Sequence, residues 1–461
     1  MQARNDWVKA HDAARCPVMR SRGGVLVLAL LVALPLLTAG EALAAAKTWS
    51  GNNDVNWNTG ANWGGTAPVG GDNLVFGAAG SSGTSLNNNL TADINLASAT
   101  AIAFNNSAAS YTISGNRITL GGNITVGTGI TAENINVDMI LSATRTFTVS
   151  SGTLTLGGTI SDGGTSGRGV TVGGSSATTV MSGANTFDGP VTVSGGTSLS
   201  SAATLSVTTV NSVSGSASSN LGHPTSSANG TINIGSSGGT AAGLLKYTGA
   251  GETSDRLLKI GGYLSAAAAG IEASGTTTSG SPLKFTGAVS YSYGNTIHIA
   301  LTGTGYGEIS GAIGAGSSGS GITKSGSGTW TLSGANVYTG PTKVNEGTLS
   351  VASLNYITSG SLSPNTSSSL GKPTTSGNGT IALGNSTTAG TLVYTGAGET
   401  SDRVINLAGT SGSATLDQSG SGLLKFTSAF TAGGAGSKDL TLKGSTAGTG
   451  EINAAIVNNS S

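Results

Sequence analysis

From residue 47 onward the chain is built on one short pattern, an apolar residue, a threonine and a second apolar residue. Ile118-Thr119-Leu120, Ile124-Thr125-Val126, Phe147-Thr148-Val149, Leu154-Thr155-Leu156, Val170-Thr171-Val172 and Val191-Thr192-Val193 are examples. A period of two buries one side of an extended segment and turns the threonine out. Gly, Asn or Ser interrupts the pattern every few residues, so each strand is very short. Short strands at close, regular spacing are the signature of coils stacked in a β-solenoid. There the backbone hydrogen bonds run between coils, and a chain with few large apolar residues can still order. A disordered Gly/Ser linker has no reason to alternate in this way.

Composition narrows the function classes. Of 461 residues, 77 are Gly, 65 Ser and 63 Thr, and only 9% are charged. An average domain carries about 25% charged residues. The 20 basic residues balance 20 acidic ones, so the surplus of positive charge that nucleic acid demands is missing. Collagen is excluded because glycine does not fall at every third position.

The N-terminus reads as an address. Arg20 and Arg22 precede the apolar run Val25–Leu37, and Ala42-Leu43-Ala44 follows it. A basic flank, a short apolar core and a small-x-small site make a secretory signal peptide, assigned to residues 1–46. As a helix, the run rises only about 20 Å, short of the ~30 Å hydrocarbon core of a bilayer. Met19 would begin a more ordinary signal than Met1. The single cysteine, Cys16, lies upstream of the run. The mature chain then has no disulfide, thiol nucleophile or lipoprotein anchor, and no span across a membrane.

A long internal repeat overlies the short one. Ser182–Pro190 matches Ser333–Pro341, Leu221–Thr225 matches Leu370–Thr374, and Tyr247–Arg256 recurs unchanged as Tyr394–Arg403. Leu283–Phe285 returns as Leu424–Phe426, and Gly307–Ile309 as Gly450–Ile452. The unit is about 150 residues, with small deletions in turns. The expected divisions are a Trp-rich cap at 47–77, solenoid coils at 78–181, and two long copies at 182–332 and 333–461. Identical sequence in a repeat implies the same place in the coil, so the two decapeptides are expected on one side of the solenoid. The second copy stops where the first continues into Ile322–Trp330, which predicts a fragment ending just before another unit.

The segment Gly326–Leu349 resembles the autotransporter-associated β-strand repeat, also called the passenger-associated transport repeat. A weaker copy spans Val180–Thr197. The stretch from Thr48 through Trp57, Trp63 and Phe76 is similar to the opening of large secreted bacterial proteins carrying these repeats. The resemblance implies a right-handed, single-stranded parallel β-helix of the pectin-lyase-like kind. It implies export to the surface of a bacterium, associated with the outer membrane, and no common enzymatic activity. The C-terminal barrel that exports true passengers needs many strands of about 10 residues, and the segment after Gly433 does not have them. Either the sequence is a fragment or export takes another route.

Pectin-degrading enzymes share the β-helix, and sugar hydrolases need paired carboxylates. No Asp-Asp, Glu-Asp or Asp-x-Asp occurs after residue 46. His223 is replaced by Lys372 in the second copy, as suits a solvated turn, and His298 occupies the outward position of Ile297-His-Ile299. The Gly235–Gly239 match to G-x-S-x-G is one that so Gly- and Ser-rich a chain yields by chance. The densest charge cluster is Glu252, Asp255 and Arg256, duplicated as Glu399, Asp402 and Arg403. It reads either as a repeated polar ligand contact or as a turn whose Ser and Asp cap backbone amides while Arg pairs with an acid. Trp49, Trp57 and Trp63 read either as a sugar-stacking platform or as the cover of the first coil. Trp330, alternating with Leu332, is expected in the core. No metal or cofactor is expected.

The sequence therefore predicts an exported, non-enzymatic solenoid, a surface stalk or adhesin. Its partners would be surface polysaccharide or another cell, bound at many sites, besides the export machinery that reads the signal. A polysaccharide lyase or hydrolase, and an inert spacer for a missing module, are the alternatives.

Overall fold

A computed structural model describes residues 45–96, 99–215, 217–237, 239–262, 269–292, 296–357, 365–444, 448–457 and 459. Residues 1–46, read from the sequence as a signal peptide, lie almost wholly outside them. The described chain is a parallel β-solenoid. Every strand pairing within its five sheets is parallel, and the longest sheet stacks fourteen strands. Among the described residues the only helices are short turns at Gly60–Trp63, Leu199–Ser201 and Ser376–Gly379. None is long and apolar enough to cross a membrane.

Three walls recur in chain order. The first is a ten-stranded sheet that includes Asn123–Val126, Arg145–Val149, Val170–Gly174 and Val191–Val193. Its successive strands begin 22, 25 and 21 residues apart, one coil each. The second wall is the fourteen-stranded sheet, which includes Thr153–Leu156, Thr178–Met181 and Gly243–Tyr247. The third is a four-stranded sheet from Ile94 to Ser161, continued later by the eight-stranded sheet that starts at Glu252–Ser254. A last, three-stranded sheet begins at Glu399–Ser401 and in chain order takes the place of the first wall.

The triplets explain the walls. In Ile118–Leu120, Met139–Leu141 and Val191–Val193 the outer residues are buried and the middle one is half-buried on the outside. Stacking in register aligns Ile124, Phe147, Val172 and Val193 with like residues above and below. These columns form one continuous core. The corners need glycine where coils approach closely. Gly174 has φ 114°, and a Cβ there would lie 1.8 Å from the Val149 carbonyl oxygen.

The two long copies do not lie on the same side, contrary to the sequence expectation. Gly243–Tyr247 belongs to the fourteen-stranded sheet and Glu252–Ser254 to the eight-stranded one. Their counterparts, Gly390–Tyr394 and Glu399–Ser401, lie one wall further on, in the eight- and three-stranded sheets. The repeat therefore spans a whole number of coils plus one wall. The second copy is turned by a third of a revolution.

Candidate functional site

The N-terminal tryptophans are buried against one another. Trp49 and Trp63 meet at 4.9 Å edge to face, Trp57 and Trp63 at 6.0 Å, and Phe76 stacks on Phe104 at 5.2 Å. The Trp63 indole donates to the Trp57 carbonyl at 2.8 Å. Their faces are covered by protein, so in this arrangement they close the first coils and offer no ring to a sugar.

The duplicated charge cluster is a loop clamp. The Glu252 carboxylate accepts from the backbone N–H groups of Val210 and Asn211 at 2.6 and 2.9 Å. Glu399 accepts from Leu354 and Asn355 at 2.5 and 2.9 Å. Asp255 accepts from Val213 and Ser214, and Asp402 from Ile357. The hydroxyls of Ser254 and Ser401 donate to the carbonyls of Asn211 and Asn355. These bonds tie down the described parts of the connections 208–231 and 352–380, in which no described residue forms a strand of the wall that chain order would bring next. Asn211 and Asn355 adopt the left-handed conformation that aims the loop amides at the carboxylates.

Of the two readings of this cluster, the bonding follows the capping turn only in part. Its acids do cap amides, but neither Arg256 nor Arg403 forms an ion pair among the described residues. Both guanidinium groups are fully buried and reach carbonyls instead, Arg256 that of Gly222 at 3.4 Å and Arg403 that of Leu370 at 2.9 Å. Burial pulls both down to about 10. Loops fold over these side chains, which leaves the arginines no surface for a ligand.

Two residue types went unnoticed in the sequence. Asn185 and Asn336, the asparagines of the duplicated Ser-Gly-Ala-Asn, join three levels of chain. Their side-chain oxygens accept from Ile160 and Ile313 of the coil below at 2.8 and 2.9 Å. Their amides donate to the Asn220 and Ser369 carbonyls of the loop at 2.6 and 2.7 Å. The duplication of the motif was the signal for this role. Lys324 occupies an inward position in register with Leu301 and Val344. Its ammonium donates to the carbonyls of Ser325, Gly326 and Glu346, and burial pulls it down to about 8.

The remaining candidates are dispersed. His298 faces outward as its strand position predicts, yet it is only 5% exposed, and burial lowers it to about 4. His223 is half-buried, and its N–H bonds the Phe187 carbonyl as that of Lys372 bonds Tyr338. Ser237, the serine of the Gly235–Gly239 match, is exposed, and the neighbouring Ser236 hydroxyl accepts from the Ala241 amide in a local turn. Trp330 is buried, as expected. Carboxylates on the outer faces pair with lysines of neighbouring coils, Glu272 with Lys246, Glu308 with Lys284 and Glu451 with Lys425, at 2.8–2.9 Å. Among the described residues no group of His, Cys, Asp or Glu could hold a metal.

One polar groove runs across the first wall. Thr171, Thr192, Asn233, Lys259 and Ser290 stack in register on successive coils. With Ser194, Ser236, Ser237 and Ser292 beside the column, four of its members line a cavity of about 430 Å³. Hydroxyls, an amide and one ammonium suit the hydrogen bonding of an extended polar ligand.

The passenger-associated-transport-repeat family model matches residues 175–197 and 322–351. No curated protein and no solved structure matches the chain. Both matched segments carry the inter-coil asparagine, at 185 and 336, so the chain holds two segments similar to passenger-associated transport repeats within a parallel β-solenoid.

Proposed function

We propose that the chain is an exported, non-enzymatic, passenger-like solenoid that serves at a bacterial surface as a stalk or adhesin. The observation that carries this reading is the use made of polar groups. The duplicated acids are spent on loop amides, outer-face acids are paired with lysines, and the groove column on the first wall runs through Thr171, Thr192 and Asn233 to Lys259 with no carboxylate in it. The transport-repeat matches support the passenger-like assignment. Residues 1–46 act as the export signal in this reading, and the coils wind right-handed, the usual sense of parallel crossovers. Binding is weak per site and gains strength from many sites on a polysaccharide or a neighbouring cell. The groove around Asn233 and Lys259 is the first contact to examine. The test is to incubate the purified mature chain with plant, algal and bacterial polysaccharides. Sedimentation with at least one polymer, without release of reducing ends or unsaturated products, is expected. Turnover lost on substituting a single carboxylate would replace this reading with a polysaccharide-degrading enzyme.

A further inference from the structure

The last described coil keeps a socket that its described residues do not fill. Gly450 lies in the strand Thr449–Ile452 and borders a cavity of about 590 Å³ with Leu416, Leu424, Phe426, Leu442 and Ile456. A Cβ added at Gly450 would meet nothing closer than Gln418 at 4.0 Å, and its φ is not in the left-handed region. Neither steric crowding nor backbone conformation requires glycine there, and strand glycine costs roughly 0.5–1 kcal/mol against alanine.

The first copy supplies the reason. Gly307, its counterpart, lies beneath the Trp330 indole, and a Cβ there would sit 2.6 Å from the ring. Gly307 pairs with Trp330 and Ile309 with Leu332. The indole donates to the Thr302 carbonyl at 2.9 Å. Leu301 and Ile313 are fully buried in that coil, whereas their counterparts Leu442 and Ile456 are 58% and 51% exposed. On the outer face beside these positions the two copies match down to the ion pair, Lys284–Glu308 at 2.9 Å and Lys425–Glu451 at 2.8 Å.

The geometry points to Gly450 and its surroundings as an acceptor for a further coil of the Gly321–Val337 kind. That coil pairs in parallel, setting Trp-Thr-Leu opposite Gly450-Glu451-Ile452. Its tryptophan occupies the space over Gly450, its leucine covers Ile452, and its Ser-Gly-Ala-Asn asparagine accepts from the Ile456 amide as Asn336 does from Ile313. This rests on the repeat register alone and is independent of the ligand reading above.

Two measurements test it. In the chain as it stands, Gly450→Val leaves the denaturation midpoint unchanged or raises it, while Gly307→Val lowers it. Equal losses at the two positions would overturn the inference. The second measurement appends a copy of residues 319–351 after Ser461, the position that continues the register. The midpoint shifts upward and Leu442 becomes protected from solvent. Changing the appended tryptophan to Ala, or Gly450 to Val in the extended chain, abolishes the shift. An extension without effect, a shift that survives Gly450→Val, or dimerisation of the unextended chain abolished by Leu442→Asp, would each refute this occupant.

Discussion

Single polar residues in this solenoid act chiefly as anchors for backbone that has left the walls. Glu252 satisfies two amides of the connection 208–231, and removing the acceptor leaves both donors unpaired. Orphaned donors cost about 1–3 kcal/mol each where water cannot reach them. Glu252→Ala is therefore expected to destabilise by ~2 kcal/mol and to open residues 208–218 to protease. A chemical denaturation curve with a proteolysis map checks both. Glu133 behaves differently. It is fully buried, accepts only the Tyr111 amide at 2.8 Å, and leaves its second oxygen unpartnered. Burial pushes its carboxyl up to about 8 from the usual 4.5. The folded state then holds a proton that the unfolded state releases. Stability from this group is full below about pH 4.5 and is lost as pH rises through about 8. Glu133→Gln should flatten that decline, read as denaturation midpoints at pH 4.5, 6 and 8. An unchanged slope would refute the assignment.

At the scale of the strand and corner, the alternation was legible because it follows directly from backbone geometry. An apolar–Thr–apolar triplet has one buried solution, and the structure adopts it at Ile118–Leu120 and Val191–Val193. The connections were not legible. Nothing in the order Glu-Thr-Ser-Asp-Arg reveals that a loop some 40 residues earlier folds over it and buries the arginine. His298 shows the same gap, since strand parity places it outside and the structure nevertheless buries it to 5% exposure. The corners and asparagine clamps give predictions of their own. Gly174→Ala must adopt φ 114° and accommodate a Cβ 1.8 Å from a carbonyl oxygen. A loss on the order of 2 kcal/mol is expected by denaturant titration. Asn336→Asp keeps the acceptor for the Ile313 amide but turns a carboxylate oxygen toward the Ser369 carbonyl, which loses its donor. It should destabilise more than Asn336→Ala, because repulsion adds to the lost bond.

Over the whole molecule, the phase of the long repeat is the property that sequence comparison conceals. Triplets look alike on all three walls, and an offset near 150 residues does not say how many coils it spans when the described parts of 208–231 and 352–380 add no strand to a wall. Chain order through the sheets does say, and it turns the second copy by a third of a revolution. Equivalent surfaces of the two copies then face different directions, so one flat ligand cannot engage both at once. Spin labels distinguish the two geometries. Leu244 and its repeat mate Thr391 lie on different walls, in the fourteen- and eight-stranded sheets. Ala382 shares the wall of Leu244, and the column runs through Gly270, Ala300, Thr323 and Lys343 to reach it. Those five steps of about 4.8 Å span roughly 24 Å. Pairs of nitroxides at 244 and 382 should therefore give the shorter separation, and pairs at 244 and 391 a longer one that crosses to the next wall. If the repeat instead closed on a whole number of coils, 244 and 391 would stand in one column, and their distance would be the shorter.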